Sequence, residues 1–114
     1  MKLNSISGLT YKVADLDKAA KFYEDLGFRM GKGDESHRLC YVNWFWVKLV
    51  TDDAPATTET SSLHIKVDSI SECYEELTAQ GLTPGHEPEK QADGSQSFPL
   101  LDLDGHTLVF FEKK

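Results

Sequence analysis

Cysteine is scarce in this chain. Only Cys40 and Cys73 occur in 114 residues, with no CxxC and no histidine-paired spacing. Both read as buried apolar fillers, Cys73 at a helix-core position, and neither is assigned any chemistry. Long hydrophobic runs are missing as well, and none reaches the roughly 18 residues a membrane helix needs. Met1 leads into alternating polar and apolar residues and not into a signal peptide, so a soluble, cytoplasmic chain is expected. Positive charge is in the minority: 12 Lys and Arg face 19 Asp and Glu, for a formal charge of −7. A polyanion is repelled by such a balance, so nucleic acid is not expected as a partner, whereas a cationic ligand is accommodated. GxSxG, a phosphate loop and a nucleophile–base pair are all absent.

What is present suffices for one core. Hydrophobic residues make up 39% and aromatics 11%, which excludes a disordered chain, and the length corresponds to a single domain. Residues 3–13 alternate like a strand. Asp15 then reads as a helix N-cap, Leu16, Ala19, Ala20 and Tyr23 repeat at helical spacing, and Gly27 closes the helix. Strands are expected at 28–32, 38–42 and 45–51, the last two joined tightly near Asn43. A polar, proline-containing linker follows at 52–62.

The pattern then restarts. A strand at 63–67 leads to Ser69 and Glu72 as a capping box, to an apolar stripe of Ile70, Cys73, Tyr74 and Leu77, and to Gly81 as C-cap. Strands at 82–87, 97–101 and 107–112 follow, with turns at Asp93-Gly94 and Asp104-Gly105. The order strand, helix, three strands therefore occurs twice, as a duplicated βαβββ module would give. One domain is expected, with module one at 1–51, a linker at 52–61 and module two at 62–114.

VADLDKAAKFYEDLGF at residues 13–28 and DLDGHTLVFFE at residues 102–112 resemble the vicinal oxygen chelate superfamily. That group includes glyoxalase I, the bleomycin-resistance and fosfomycin-resistance proteins and the extradiol dioxygenases. The resemblance covers residues 3–112 and implies an α+β fold of paired βαβββ modules, with curved mixed sheets forming a cup. It also implies homodimers with cavities between modules. Open edges and a bare face on each four-stranded sheet favour pairing on physical grounds too.

Metal-dependent members of this family take His and Glu ligands from the first and last strand of each module. Carried over residue by residue, those positions fall on Gly8, Lys48, Ser62 and Val109. Glycine and valine offer no donor, and an ammonium repels a dication. At most one ligand survives, if a two-residue slip puts His64 in place of Ser62. No metal or cofactor is expected. His37, His86 and His106 share no close spacing with His64 and read as surface or turn residues. Asp104 reads as part of a turn beside Asp102, and Glu112 faces away from Val109.

Strand parity then defines a candidate ligand-binding wall: Thr10, Tyr41, Trp44, Trp46, Lys48, Ser62, His64, Thr107, Val109 and Phe111. Aromatic faces with a few polar points suit a small molecule, although the tryptophans equally suit a filled cup or a dimer interface. Lys48 reads either as an anion-binding group or as the partner of a protein carboxylate. Gly8 either permits close ligand approach or marks a bend.

The reading favoured is a metal-free protein of the bleomycin-resistance type that binds an aromatic or cationic ligand in a dimer cavity, for sequestration or sensing. Two alternatives stand beside it. One is a metal-dependent lyase, isomerase or dioxygenase using His64, His106 and Glu112. The other is a dimeric interaction domain with a filled cavity.

Overall fold

The computed structural model describes residues 1–2, 6–52 and 62–113. Residues 3–5 of the expected first strand and 53–61 of the expected linker lie outside them. The chain divides into two compact units, Met1–Ala56 and Thr57–Lys114. Each is built as strand, helix, three strands, giving an α+β fold of two four-stranded mixed sheets with one helix apiece.

In the first unit, β1 (Gly8–Val13) leads to α1 (Leu16–Leu26), and then to β2 (Arg29–Gly33), β3 (His37–Val42) and β4 (Phe45–Thr51). The sheet order is β1-β4-β3-β2, with β1 parallel to β4 and the other pairs antiparallel. The helix starts where the Asp15 carboxylate accepts the Lys18 N–H at 3.1 Å, which satisfies one of the unpaired amides at a helix start. It stops at Gly27, whose φ of 114° only glycine adopts without strain. Leu16, Ala19, Phe22 and Tyr23 form its buried stripe. Tyr23 is wholly buried, with edge-to-face contacts to Phe22 and Phe28 at 5.5 and 5.1 Å. Tyr11, Val13, Cys40, Val47 and Leu49 supply the sheet side of this core.

The second unit repeats the plan with β5 (Ser62–Lys66), α2 (Ile70–Ala79), β6 (Glu89–Lys90), β7 (Gln96–Leu101) and β8 (Thr107–Glu112), in sheet order β5-β8-β7-β6. Ser69 caps α2 by accepting the Glu72 N–H at 3.3 Å. A second carboxylate serves the same helix end: Glu112 Oε1 accepts the Ile70 N–H at 2.7 Å. Gly81, at φ 87°, follows the last helical turn. Phe98 stacks on Phe110 at 5.4 Å and meets Tyr74 edge-on at 5.4 Å.

Three local expectations are corrected. Residues 82–87 are not a strand. Pro84 has no N–H to donate, and the Gly85 N–H bonds the Pro99 carbonyl at 2.9 Å instead of joining a ladder, so pairing begins only at Glu89 and Lys90. Trp44 is not on a strand. Asn43, at φ 56°, and Trp44 form the turn between β3 and β4, and Trp44 is 63% exposed. His106 is not a surface residue: it is 3% exposed and paired with buried Asp102. Among the described residues no helix is long and apolar enough to cross a membrane.

Candidate functional site

Each helix covers one face of its own sheet, and the alternation of strand side chains sends the remaining residues to the other face. In the first unit that uncovered face is ordered by register. Gly8, Trp46 and Tyr41 stand side by side on β1, β4 and β3, with Arg29 beyond them on β2. The next row holds Thr10, Lys48 and Leu39, and the one after it Lys12, Val50 and His37. Thr10 is exposed, whereas Tyr41, Trp46 and Lys48 are partly covered.

Two glycines make room for the rings of this face. The Trp46 indole lies where a Cβ on Gly8 would project, and a Cβ on Gly31 would come within 2.5 Å of the Tyr41 ring. Gly8 therefore leaves no gap for a ligand, since the space of its missing side chain is taken by Trp46. The Arg29 guanidinium lies 4.7 Å from the centre of the Tyr41 ring and donates to the Asn43 carbonyl at 3.0 Å. Lys48 has no ion-pair partner among the described residues.

Charge in this unit is segregated. None of its four strands carries Asp or Glu. Its carboxylates lie on α1, at the helix cap, in the β2–β3 turn and just after β4. Asp15, Asp17, Asp34 and Glu35 line a broad depression of about 590 Å³ at the start of α1. Asp15 is used as the helix cap. Asp34 accepts from the Ser36 N–H and hydroxyl, both at 2.8 Å, which lowers its pKa to about 2.

In the second unit the uncovered face carries Ser62 and His64 on β5 beside Thr107, Val109 and Phe111 on β8. A cavity of about 310 Å³ is lined by His64, Val109 and Phe111 together with Gln91, Asp93, Ser95 and Ser97. The His64 and Phe111 rings are 6.4 Å apart, edge to face. Asp93 accepts from the Ser95 N–H at 2.9 Å and its hydroxyl at 2.6 Å, bonds that lower its pKa.

The parity reading thus places Thr10, Tyr41, Trp46 and Lys48 on one open face and Ser62, His64, Thr107, Val109 and Phe111 on another. Trp44 joins neither. Sequence reasoning missed Arg29, Gln91, Asp93, Ser95 and Ser97. The repeated Asp-x-Ser of 34–36 and 93–95, one copy in each module, was the available signal for the β6–β7 hairpin.

The residues at the family's metal positions do not fit a divalent ion. Gly8 is occupied by a tryptophan ring, Lys48 brings a positive charge, and Val109 has no donor. Among the described residues no three His, Cys, Asp or Glu side chains converge on one point. The alternative set of His64, His106 and Glu112 is not brought together either. Glu112 is turned toward α2, where it caps the helix. The His106 Nδ1 lies 2.7 Å from Asp102 Oδ2 in a buried pair at the β7–β8 turn. The same carboxylate accepts the backbone N–H groups of Asp104 and His106 at 2.9 and 2.8 Å. His37 is engaged by Asp34 at 3.0 Å, and His86 lies 2.7 Å from the Glu87 carbonyl. Both cysteines are protonated fillers, burial pushing Cys40 up to about 12 and Cys73 to about 11.

Solved structures share this architecture from end to end. A bleomycin-binding protein complexed with bleomycin matches with a TM-score of 0.80 and 22% identity, over 97% of this chain and 100% of its own. A bleomycin resistance determinant encoded on the transposon Tn5 matches at 0.82 and 21%, over 97% and 99%. Lactoylglutathione lyase from Agrobacterium tumefaciens matches at 0.82 and 18%, over 98% and 96%. Identities this low establish the fold and leave the activity to the residues of the site. No curated protein matches the sequence itself. A family model that runs from residue 5 to residue 110 covers nearly the whole of the repeated βαβββ pattern, and the chain belongs to the Glyoxalase/Bleomycin resistance protein/Dioxygenase superfamily.

Proposed function

We propose that this chain binds a small molecule with an aromatic ring, without a metal ion, and acts by sequestration or sensing in the manner of a bleomycin-resistance protein. The observation that carries the reading is the open face of the first unit. Trp46 and Tyr41 are seated there on glycines, beside Lys48, at positions that offer a dication no donor set. Indole and phenol faces stack on planar rings, and a few polar groups among them fix orientation. One structural neighbour that binds bleomycin and another that is a bleomycin resistance determinant support a binding role for this architecture. Pairing of two chains, with the ligand held in a cavity between them, completes the proposal.

Changing Trp44 to Phe leaves Trp46 as the only tryptophan, because the chain has two. With a chelator present, that variant is titrated with metal-free bleomycin and with a panel of one- and two-ring aromatic compounds. A saturable change in Trp46 emission is expected for at least one of them. No saturation with any compound by millimolar concentration overturns the reading.

A further inference from the structure

We infer that the open face of the first unit selects a planar molecule that carries a carboxylate, in preference to a neutral or cationic one. The inference rests on the binding role proposed above and assigns that ligand its charge. Four side chains capable of positive charge stand on this face: Lys12, Arg29, His37 and Lys48. Two are matched by carboxylates at the edge of the sheet. Lys12 lies 3.7 Å from Asp52, and His37 Nδ1 lies 3.0 Å from Asp34. Arg29 and Lys48 have no carboxylate partner among the described residues, and no strand of the unit carries one.

The two unmatched cations flank the two rings. Arg29 lies over Tyr41, and Lys48 follows Trp46 by two residues on the same strand face. Adjacent strands are about 4.8 Å apart and two residues advance about 6.7 Å along a strand, so Arg29 on β2 and Lys48 on β4 stand roughly 12 Å apart across β3. That span fits a one- or two-ring ligand whose face meets Trp46, with the Arg29 guanidinium on the Tyr41 ring at its far end. Its carboxylate meets Lys48, and the exposed hydroxyl of Thr10, opposite Lys48 in the ladder, is a second donor to the same oxygens. A cationic ligand on this face meets two positive charges and, among the described residues, no compensating carboxylate. The overall charge of −7 gives the opposite expectation, because the acidic residues of this unit lie off its strands.

Calorimetry with 2-naphthoate, 2-naphthalenemethanol and 2-naphthylmethylammonium separates the two levels of the argument, because the three probes share a ring system and differ in charge. The carboxylate is expected to bind roughly tenfold or more tighter than the alcohol, and the ammonium most weakly. Added salt is expected to narrow the gap. Lys48→Met keeps the aliphatic stem and is expected to bring carboxylate and alcohol to the same affinity, and Lys48→Glu to favour the ammonium. Equal binding of the three by the unmodified protein overturns the charge assignment and leaves the binding role standing. So does a carboxylate preference that survives in a folded Lys48→Met variant. Failure of all three probes to bind overturns the charge assignment, and the wider aromatic panel decides the binding role. The series with the unmodified protein decides the matter even where a variant does not fold.

Discussion

Asp102 shows how much one side chain does in this fold. Its carboxylate holds two backbone amides and the His106 ring at the β7–β8 turn, in a pair whose side chains are almost wholly buried. Replacing it by Ala leaves those donors without their acceptor, and each buried donor left unsatisfied costs about 1–3 kcal/mol, so a loss of about 3 kcal/mol or more is expected. Denaturant unfolding of Asp102→Ala is expected to show a loss of that order, and a loss below about 1 kcal/mol would contradict the role given to the carboxylate. The cysteines provide a pH test. With a pKa of about 12, Cys40 is thiolate to only about one part in ten thousand at pH 8. Native protein is therefore expected to react with a disulfide reagent far more slowly than unfolded protein, and equal rates would refute the burial argument. Because folding raises these pKa values, their contribution to stability is complete below pH 9 and is lost as pH rises toward 11 and 12. At this scale the sequence was read unevenly. Alternation identified which side chains share a face, but the burial of His106 depends on a partner four residues away, and spacing alone does not reveal that pairing.

Caps and turns decide where the elements begin and end. Asp15, Gly27, Ser69, Gly94 and Gly105 were legible because each acts within a few residues of itself. Glu112 was not, since it caps α2 from 42 positions away. Glu112→Ala removes the acceptor for the Ile70 N–H and a negative charge at the helix start, a loss of about 1–2 kcal/mol. Faster amide exchange at Ile70 together with a lower unfolding midpoint is the expected result, and an unchanged Ile70 exchange rate would rule out the cap. The misread segment 82–87 has the same lesson. Its residues alternate well enough for a strand, but Pro84 and the Gly85–Pro99 bond divert the backbone. Gly85 also provides the space that brings the Pro99 ring close, 2.9 Å from where a Cβ would stand.

On the scale of the whole molecule, order was more legible than identity. The repeated plan of strand, helix and three strands appears in both units with matching parallel pairs, β1 with β4 and β5 with β8. Composition, by contrast, hid the cationic face, because a net charge sums over residues that the fold sorts to opposite sides. Each sheet in this arrangement has two edge strands and an uncovered face, conditions that favour association. Sedimentation equilibrium at micromolar concentration is expected to give the mass of two chains, and the mass of one chain would remove the pairing from the proposal.

The indole seated on Gly8 also bears on the history of the site. Any side chain introduced at Gly8 collides with both the Trp46 indole and the Trp46 backbone carbonyl, so a histidine substituted there needs a shift of the strand backbone as well as replacement of the tryptophan. The two positions are therefore coupled in evolution. A donor side chain at position 8 requires two changes at once, loss of the indole and movement of the strand that carries it, and neither alone makes room.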